Sequence, residues 1–253
     1  MNRGFSFCKL FVLLPLLLWL LIPCAPSDRQ VVISGDIQHG GDRMIRLARL
    51  DNAEVVRLDS MRMRNGHFEF VLKAATEEQK EILAQPMMYQ LSLSGVNMLT
   101  TMAQKGEQIH ITAEAGNLIQ TYRATGGREA VLMSSLDSAL TVFVKQVQPL
   151  WDFYQQHIDQ DSVREEVEKQ YQALVDRHTR YLRRFIAEHP ADMASYIAFY
   201  QSYNRKSFFQ EREDFGLLKQ LTDTLTVHYP NHPYLLRMQQ KMEFLESQQH
   251  DTD

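Results

Sequence analysis

The pair Gly126-Gly127 separates two apolar patterns that cannot share one kind of secondary structure. From Val31 up to the pair, apolar and polar residues alternate; beyond it, apolar residues recur at helical steps. Alternation sends side chains to opposite faces of a strand, whereas steps of three and four line one face of a helix. The expected class is therefore α+β. An antiparallel β-sandwich or barrel-like domain should span residues 28–127, and an all-α domain of antiparallel helix pairs should span residues 128–253.

In the β half, Val31 to Ile33 opens a strand, Met44 to Leu50 alternates apolar with basic residues, and Val55 to Met63 follows. Asn65-Gly66 is a hairpin signal, because both residues tolerate the positive φ of a type I′ turn. Phe68 and Phe70 alternate on the returning strand, and Tyr89, Leu91 and Leu93 share one face. Met98 to Met102, a Lys105-Gly106-Glu107 turn, Ile109 with Ile111, and a short strand near Thr121 to Ala124 complete this half.

In the helical half, Leu132, Leu136, Leu140, Phe143, Val147, Leu150 and Tyr154 predict a first helix, which Pro149 should kink or end early. A second, marked by Val163, Val167, Tyr171, Leu174, His178, Tyr181 and Phe185, should stop at His189-Pro190. Asp192 is placed to cap a third helix carrying Met193, Ile197 and Tyr200. Two more are expected over Phe215 to Val227 and Tyr234 to Ser247, the latter begun by Pro233, with a frayed polar tail after Glu246.

Residues 1–27 have the layout of an export signal: Arg3 and Lys9, an apolar run from Leu10 to Ile22, then Cys24, Ala25, Pro26 and Ser27. The run is too short for a membrane span of roughly 20 residues. The rest of the chain is thus expected outside the cytoplasm, periplasmic or associated with the outer membrane. The 2 cysteines, Cys8 and Cys24, both lie in this leader, so no disulfide, zinc-thiolate or redox pair can form in the remainder. Cys24 has two readings. It is a lipidated cysteine, or it lies upstream of ordinary cleavage after Ser27.

Net charge is −4 and the pI is near 6.1, a balance that recommends neither nucleic acid nor an anionic lipid surface as partner. No Gly-X-Ser-X-Gly elbow or phosphate-cradling glycine loop occurs in the sequence, and His39-Gly40-Gly41 reads as a turn. His189, His228 and His232 sit at expected helix ends, where they can satisfy free carbonyls. Asp159 and Asp161 are expected to be solvated linker charges. Catalytic residues, a metal and a cofactor are not expected.

Aromatic residues are the group marked for binding. Trp151, Phe153 and Tyr154, then Tyr196, Phe199, Tyr200 and Tyr203, are more rings than one narrow stripe needs, and Phe208-Phe209 lies in a polar loop from Asn204 to Asp214. They form either helix-packing core with a loop plug, or a partner-binding patch of Phe208, Phe209, Trp151 and Tyr200. A different class is a small-ligand or glycan-binding sandwich using strand faces around Tyr89 or Tyr122.

The β segment VVISGDIQHGGDRMIRLARLDNAEVVRLDSMRMRNGHFEFVL, the turn segment MAQKGEQIHITAEAGN and the helical stretch YLRRFIAEHPADMASYIAFY resemble the N-terminal region of Bacteroidota envelope proteins classed as domain of unknown function 4369. In that family the region usually precedes a thioredoxin-like domain of the thiol peroxidase and TlpA type, and many members look like lipoproteins. The shared motifs are structural, so the resemblance implies no catalytic residue. This chain reaches Asp253 without the redox cysteine motif. The expectation is a non-enzymatic, exported binding or scaffolding module, accessory to a separate thioredoxin-like envelope protein and held at the membrane if Cys24 is lipidated.

Overall fold

The computed structural model describes residues 30–51, 54–94 and 96–250, apart from the side chains of residues 249 and 250. The expected leader, with Cys8 and Cys24, lies outside the described residues.

The β half builds two four-stranded sheets. Strands β1 (Gln30–Gln38), β2 (Met44–Asp51), β3 (Glu54–Arg62) and β4 (His67–Lys73) come first, followed by helix α1 (Glu77–Leu83). Then come β5 (Met87–Ser92), β6 (Met98–Ala103), β7 (Gln108–Glu114), the short helix α2 (Leu118–Thr121) and β8 (Arg123–Thr125). One sheet has the order β4-β1-β7-β8 and the other β3-β2-β5-β6. Asn65 and Gly66 adopt φ of 52° and 84°, as a type I′ turn requires. The strands that flank this turn then part, β3 to one sheet and β4 to the other.

The all-antiparallel expectation needs one correction. β1 runs parallel to β7, pairing Ile33 with Ile109 and Gly35 with Ile111. The chain passes through the second sheet before it returns beside β1, so the two strands meet by a crossover and not by a hairpin.

Alternation buries one face of each sheet. Val31, Ile33, Phe68, Phe70, Ile109 and Ile111 face Ile45, Leu47, Tyr89, Leu91 and Leu99 in one cluster, and that cluster continues into the helical half through Ala130, Met133, Leu182, Leu235 and Met238. Gly126 marks where strand gives way to helix. Its φ is +94°, and a Cβ there would lie 1.8 Å from the Gln108 carbonyl oxygen, so the backbone approach tolerates only glycine.

Helices α3 (Arg128–Gln156) and α4 (Asp161–Glu188) form an antiparallel hairpin. Pro149 lies inside α3, which continues to Gln156 instead of ending early. The lost backbone donor falls on an exposed position, where water can serve the freed carbonyl. Next come α5 (Ala194–Tyr200), a small hairpin of β9 (Ser202–Tyr203) and β10 (Lys206–Ser207), and the pair α6 (Phe215–His228) and α7 (Pro233–His250). The tail expected to fray after Glu246 is helical to His250.

Asp192 does not cap α5. Its carboxylate accepts from the Arg128 guanidinium at 2.5 and 2.8 Å, and the helix is capped from 64 residues away. The buried Glu129 carboxylate accepts the backbone N–H of Met193 and of Ala194, each at 2.8 Å. α7 is tied to the β half in a similar way. His232 donates from Nε2 to the Pro86 carbonyl at 2.9 Å and accepts the Tyr234 N–H at Nδ1, which fixes a neutral ring, while the Tyr234 hydroxyl donates to the Leu50 carbonyl.

Candidate binding cleft

The C-terminal half of α3, the N-terminal half of α4 and the β9-β10 hairpin enclose a cleft of about 630 Å³. Helical periodicity sets its walls. Val147, Leu150, Trp151 and Tyr154 recur on one face of α3, and Arg164, Val167, Glu168 and Tyr171 recur on the facing side of α4. The hairpin closes one side with Tyr203, Asn204 and Lys206. Apolar walls with a few polar groups at the rim are what a recognition cleft needs.

Trp151 is 54% exposed and packs at 5.7 Å on Tyr154, so its ring is held yet remains open to a ligand. Burial, reinforced by the neighbouring Tyr203, pushes the Tyr171 phenol above its ordinary pKa, so it stays a neutral hydrogen-bonding group. A second trough of about 370 Å³ shares Tyr171, Tyr203 and Lys206 with the first and adds Gln172, Arg205, Ser207 and Phe208. Tyr203 and Lys206 thus stand between two connected hollows.

The turn of the small hairpin carries Asn204 at φ 47° and Arg205 at φ 63°. Asparagine is suited to the left-handed region; arginine is not, and the second position of such a turn ordinarily holds glycine. Arg205→Gly should therefore raise stability by about 1 kcal/mol, read as a higher urea midpoint at unchanged slope. An unchanged or lower midpoint would mean that the Arg205 side chain makes stabilising contacts that offset the strain.

The residues marked by sequence are dispersed. Trp151 lines the cleft and Phe208 borders the second trough, where it packs half-buried on Phe143 at 5.3 Å and on His178 at 4.5 Å. Phe209 is 3% exposed, stacked on Phe199 at 5.3 Å with the Arg183 guanidinium 5.0 Å from its ring. Both rings pack inward, against different neighbours, because the loop is irregular. The pair is a plug. Tyr200 is half-buried against Phe199 and Tyr196, and its hydroxyl reaches Glu211 at 3.4 Å. Tyr89 and Tyr122 are 0% and 1% exposed in the core, so neither can offer a strand face to a sugar. The Tyr122 hydroxyl donates to Asp137 at 2.7 Å.

One constellation escapes sequence inspection. On the outer face of the first sheet, Ser34 Oγ lies 3.3 Å from His110 Nδ1, His110 Nε2 lies 3.2 Å from Asp36, and the other Asp36 oxygen lies 3.1 Å from His67. The order hydroxyl, imidazole, carboxylate is that of a nucleophilic relay, but the Ser34 hydroxyl is also bonded to the Ile109 carbonyl. The Asp36 and His67 side chains are more than half exposed, so water competes for each contact. Among the described residues, no group of three or more His, Cys, Asp or Glu side chains could hold a metal ion.

Comparison of the chain with protein-family models, with curated proteins and with solved structures finds no match in any of the three.

Proposed function

We propose that this chain is an exported, non-enzymatic binding module of the cell envelope, and that it docks a segment of a partner protein in the cleft between α3, α4 and the β9-β10 hairpin. The observation that carries the reading is Trp151: a large ring, 54% exposed, buttressed by Tyr154 at the mouth of an apolar-walled cleft. Exposing indole to water is unfavourable unless a partner covers it, and tryptophan and tyrosine lead the residues that dominate interface energies. The export-signal layout of residues 1–27 supports the location, with a lipid anchor where cleavage precedes Cys24 and a soluble protein where it follows Ser27. The resemblance to domain of unknown function 4369 suggests a thioredoxin-like envelope protein as partner.

The test is site-specific photocrosslinking in the native envelope. A benzophenone side chain at position 154 should crosslink one defined partner, and Trp151→Ala should abolish that product, whereas the same probe at exposed Val55 on β3 should not yield it. Equal crosslinking from positions 154 and 55, or a product indifferent to Trp151→Ala, would remove the cleft from the account.

A further inference from the structure

The cleft is not electrically neutral, and its imbalance names the chemistry of its occupant. Arg164 and Lys206 line the first hollow against one carboxylate, Glu168, and Arg205 joins Lys206 in the second. Arg164 is partly engaged, with Asp161 at 3.4 Å. Arg205 and Lys206 have no carboxylate within ion-pair range among the described residues. Arg205 in the turn and Lys206 at the start of β10 thus set two adjacent cations beside the cleft, a favourable place for an anion. The hairpin is locally positive in a chain of net charge −4.

We infer that the cleft recognises an acidic-apolar segment of the partner polypeptide: an aromatic or large aliphatic side chain laid on Trp151 and Tyr154, and a nearby aspartate or glutamate carboxylate held by Lys206 and Arg205. The inference rests on the docking reading above and sharpens it by fixing the sign of the partner's charge. The parts are arranged for this. Lys206 borders both hollows, so a carboxylate at the ridge between them can meet it while the neighbouring residue drops into the aromatic hollow. Gln172, Asn204 and Ser207 around the ridge provide neutral donors and acceptors for the backbone of an extended segment. Arginine at the strained turn position has a use here. Its five-donor fork matches a carboxylate, which glycine cannot do.

The chain's 2 tryptophans are Trp19 and Trp151, so in a Trp19→Phe chain the emission reports the cleft alone. That chain is used to select from a displayed library of random twelve-residue peptides, and each enriched peptide is titrated while Trp151 emission is followed. Enriched peptides should carry Asp or Glu beside an aromatic or aliphatic residue, should shift the emission to the blue, and should bind more weakly as salt rises. The double reversal Arg205→Glu with Lys206→Glu, both on exposed positions of the hairpin, should weaken them by about tenfold to a hundredfold, the range for lost hydrogen bonds to charged groups, and should select basic peptides instead. Peptides that shift Trp151 emission without an acidic bias, or that ignore the reversal, would overturn this inference and leave the docking reading standing. Enriched peptides that leave Trp151 emission unmoved would overturn both. A circular dichroism spectrum equal to that of the parent chain establishes that the reversed variant is folded.

Discussion

Glu129→Ala is expected to cost roughly 2 to 6 kcal/mol of stability, because two buried N–H donors each lose their acceptor at about 1 to 3 kcal/mol apiece. The donors belong to Met193 and Ala194 at the start of α5, and Glu129 itself is 3% exposed, so water cannot replace the carboxylate. Glu129→Gln keeps one acceptor oxygen and should lose about half as much. Urea unfolding followed by circular dichroism measures both at pH 4.5, below the window in which the raised carboxyl erodes the wild-type advantage. A loss within about 0.5 kcal/mol of zero for the alanine variant would show that α5 does not depend on this cap.

The same carboxyl makes stability depend on pH. Burial raises it from 4.5 to about 7, against the opposing pull of the Ala194 and Met193 amides. Below 4.5 the group is protonated in the folded and the unfolded chain alike, and folding carries no penalty. Between 4.5 and about 7 the folded chain keeps a proton that the unfolded chain releases, so stability falls as pH rises, and above about 7 the loss is complete. The total is on the order of 3 kcal/mol. His178 and His232, lowered by burial, act in the opposite sense, since their contribution is lost as pH falls below the ordinary histidine value of 6.5. Comparing wild type with Glu129→Gln cancels the histidines. The advantage of wild type over the variant should shrink from pH 4.5 to pH 7.5, and an advantage constant across that window would contradict the raised carboxyl.

Phe209→Ala should cost about 3 to 5 kcal/mol, the range for emptying a buried aromatic site. Its ring lies at 9° to Phe199 and is capped by Arg183, so truncation opens a void between α5, the loop and α4 that none of these can readily close. Phe208→Ala should cost less, about 1 to 2 kcal/mol, because that ring is only partly buried. Thermal unfolding separates the two variants. Equal midpoints would mean that the loop packs symmetrically, contrary to the structure. Phe209, which lines neither hollow, should leave the peptide preference of the cleft unchanged when truncated, so long as the protein remains folded.

What the sequence made legible follows from how far each determinant reaches along the chain. Asn65-Gly66 carries its turn in two adjacent residues, and the face of α3 repeats every turn, so both can be read locally. Helix α1 is set just as locally: Thr76 accepts the Gln79 N–H and the Gln79 side chain accepts the Ala75 N–H, a variant of the capping box written in the five residues from Ala75 to Gln79. The parallel pairing of β1 with β7 depends on a crossover, which no local pattern records. Asp192 looked like a cap because it precedes a helix, but Arg128 competes for the carboxylate across 64 residues and Glu129 takes over the cap. The cleft was half legible. Trp151 stood out as a ring too many for its helix, whereas Arg164, Tyr171 and Lys206 join it only once α4 and the hairpin fold back. The relay of Ser34, His110, Asp36 and His67 comes from three strands, and only the register brings it together.

Whether a partner segment covers Trp151 is read most directly by acrylamide quenching of the single indole in the Trp19→Phe chain, with and without a saturating enriched peptide. With Trp151 exposed in the free protein, quenching should be efficient, and occupancy should shift emission to the blue and reduce the quenching constant by at least about threefold as the ring leaves water. Saturated binding, established independently by calorimetry, with the quenching constant unchanged would place the peptide elsewhere on the molecule and contradict the account.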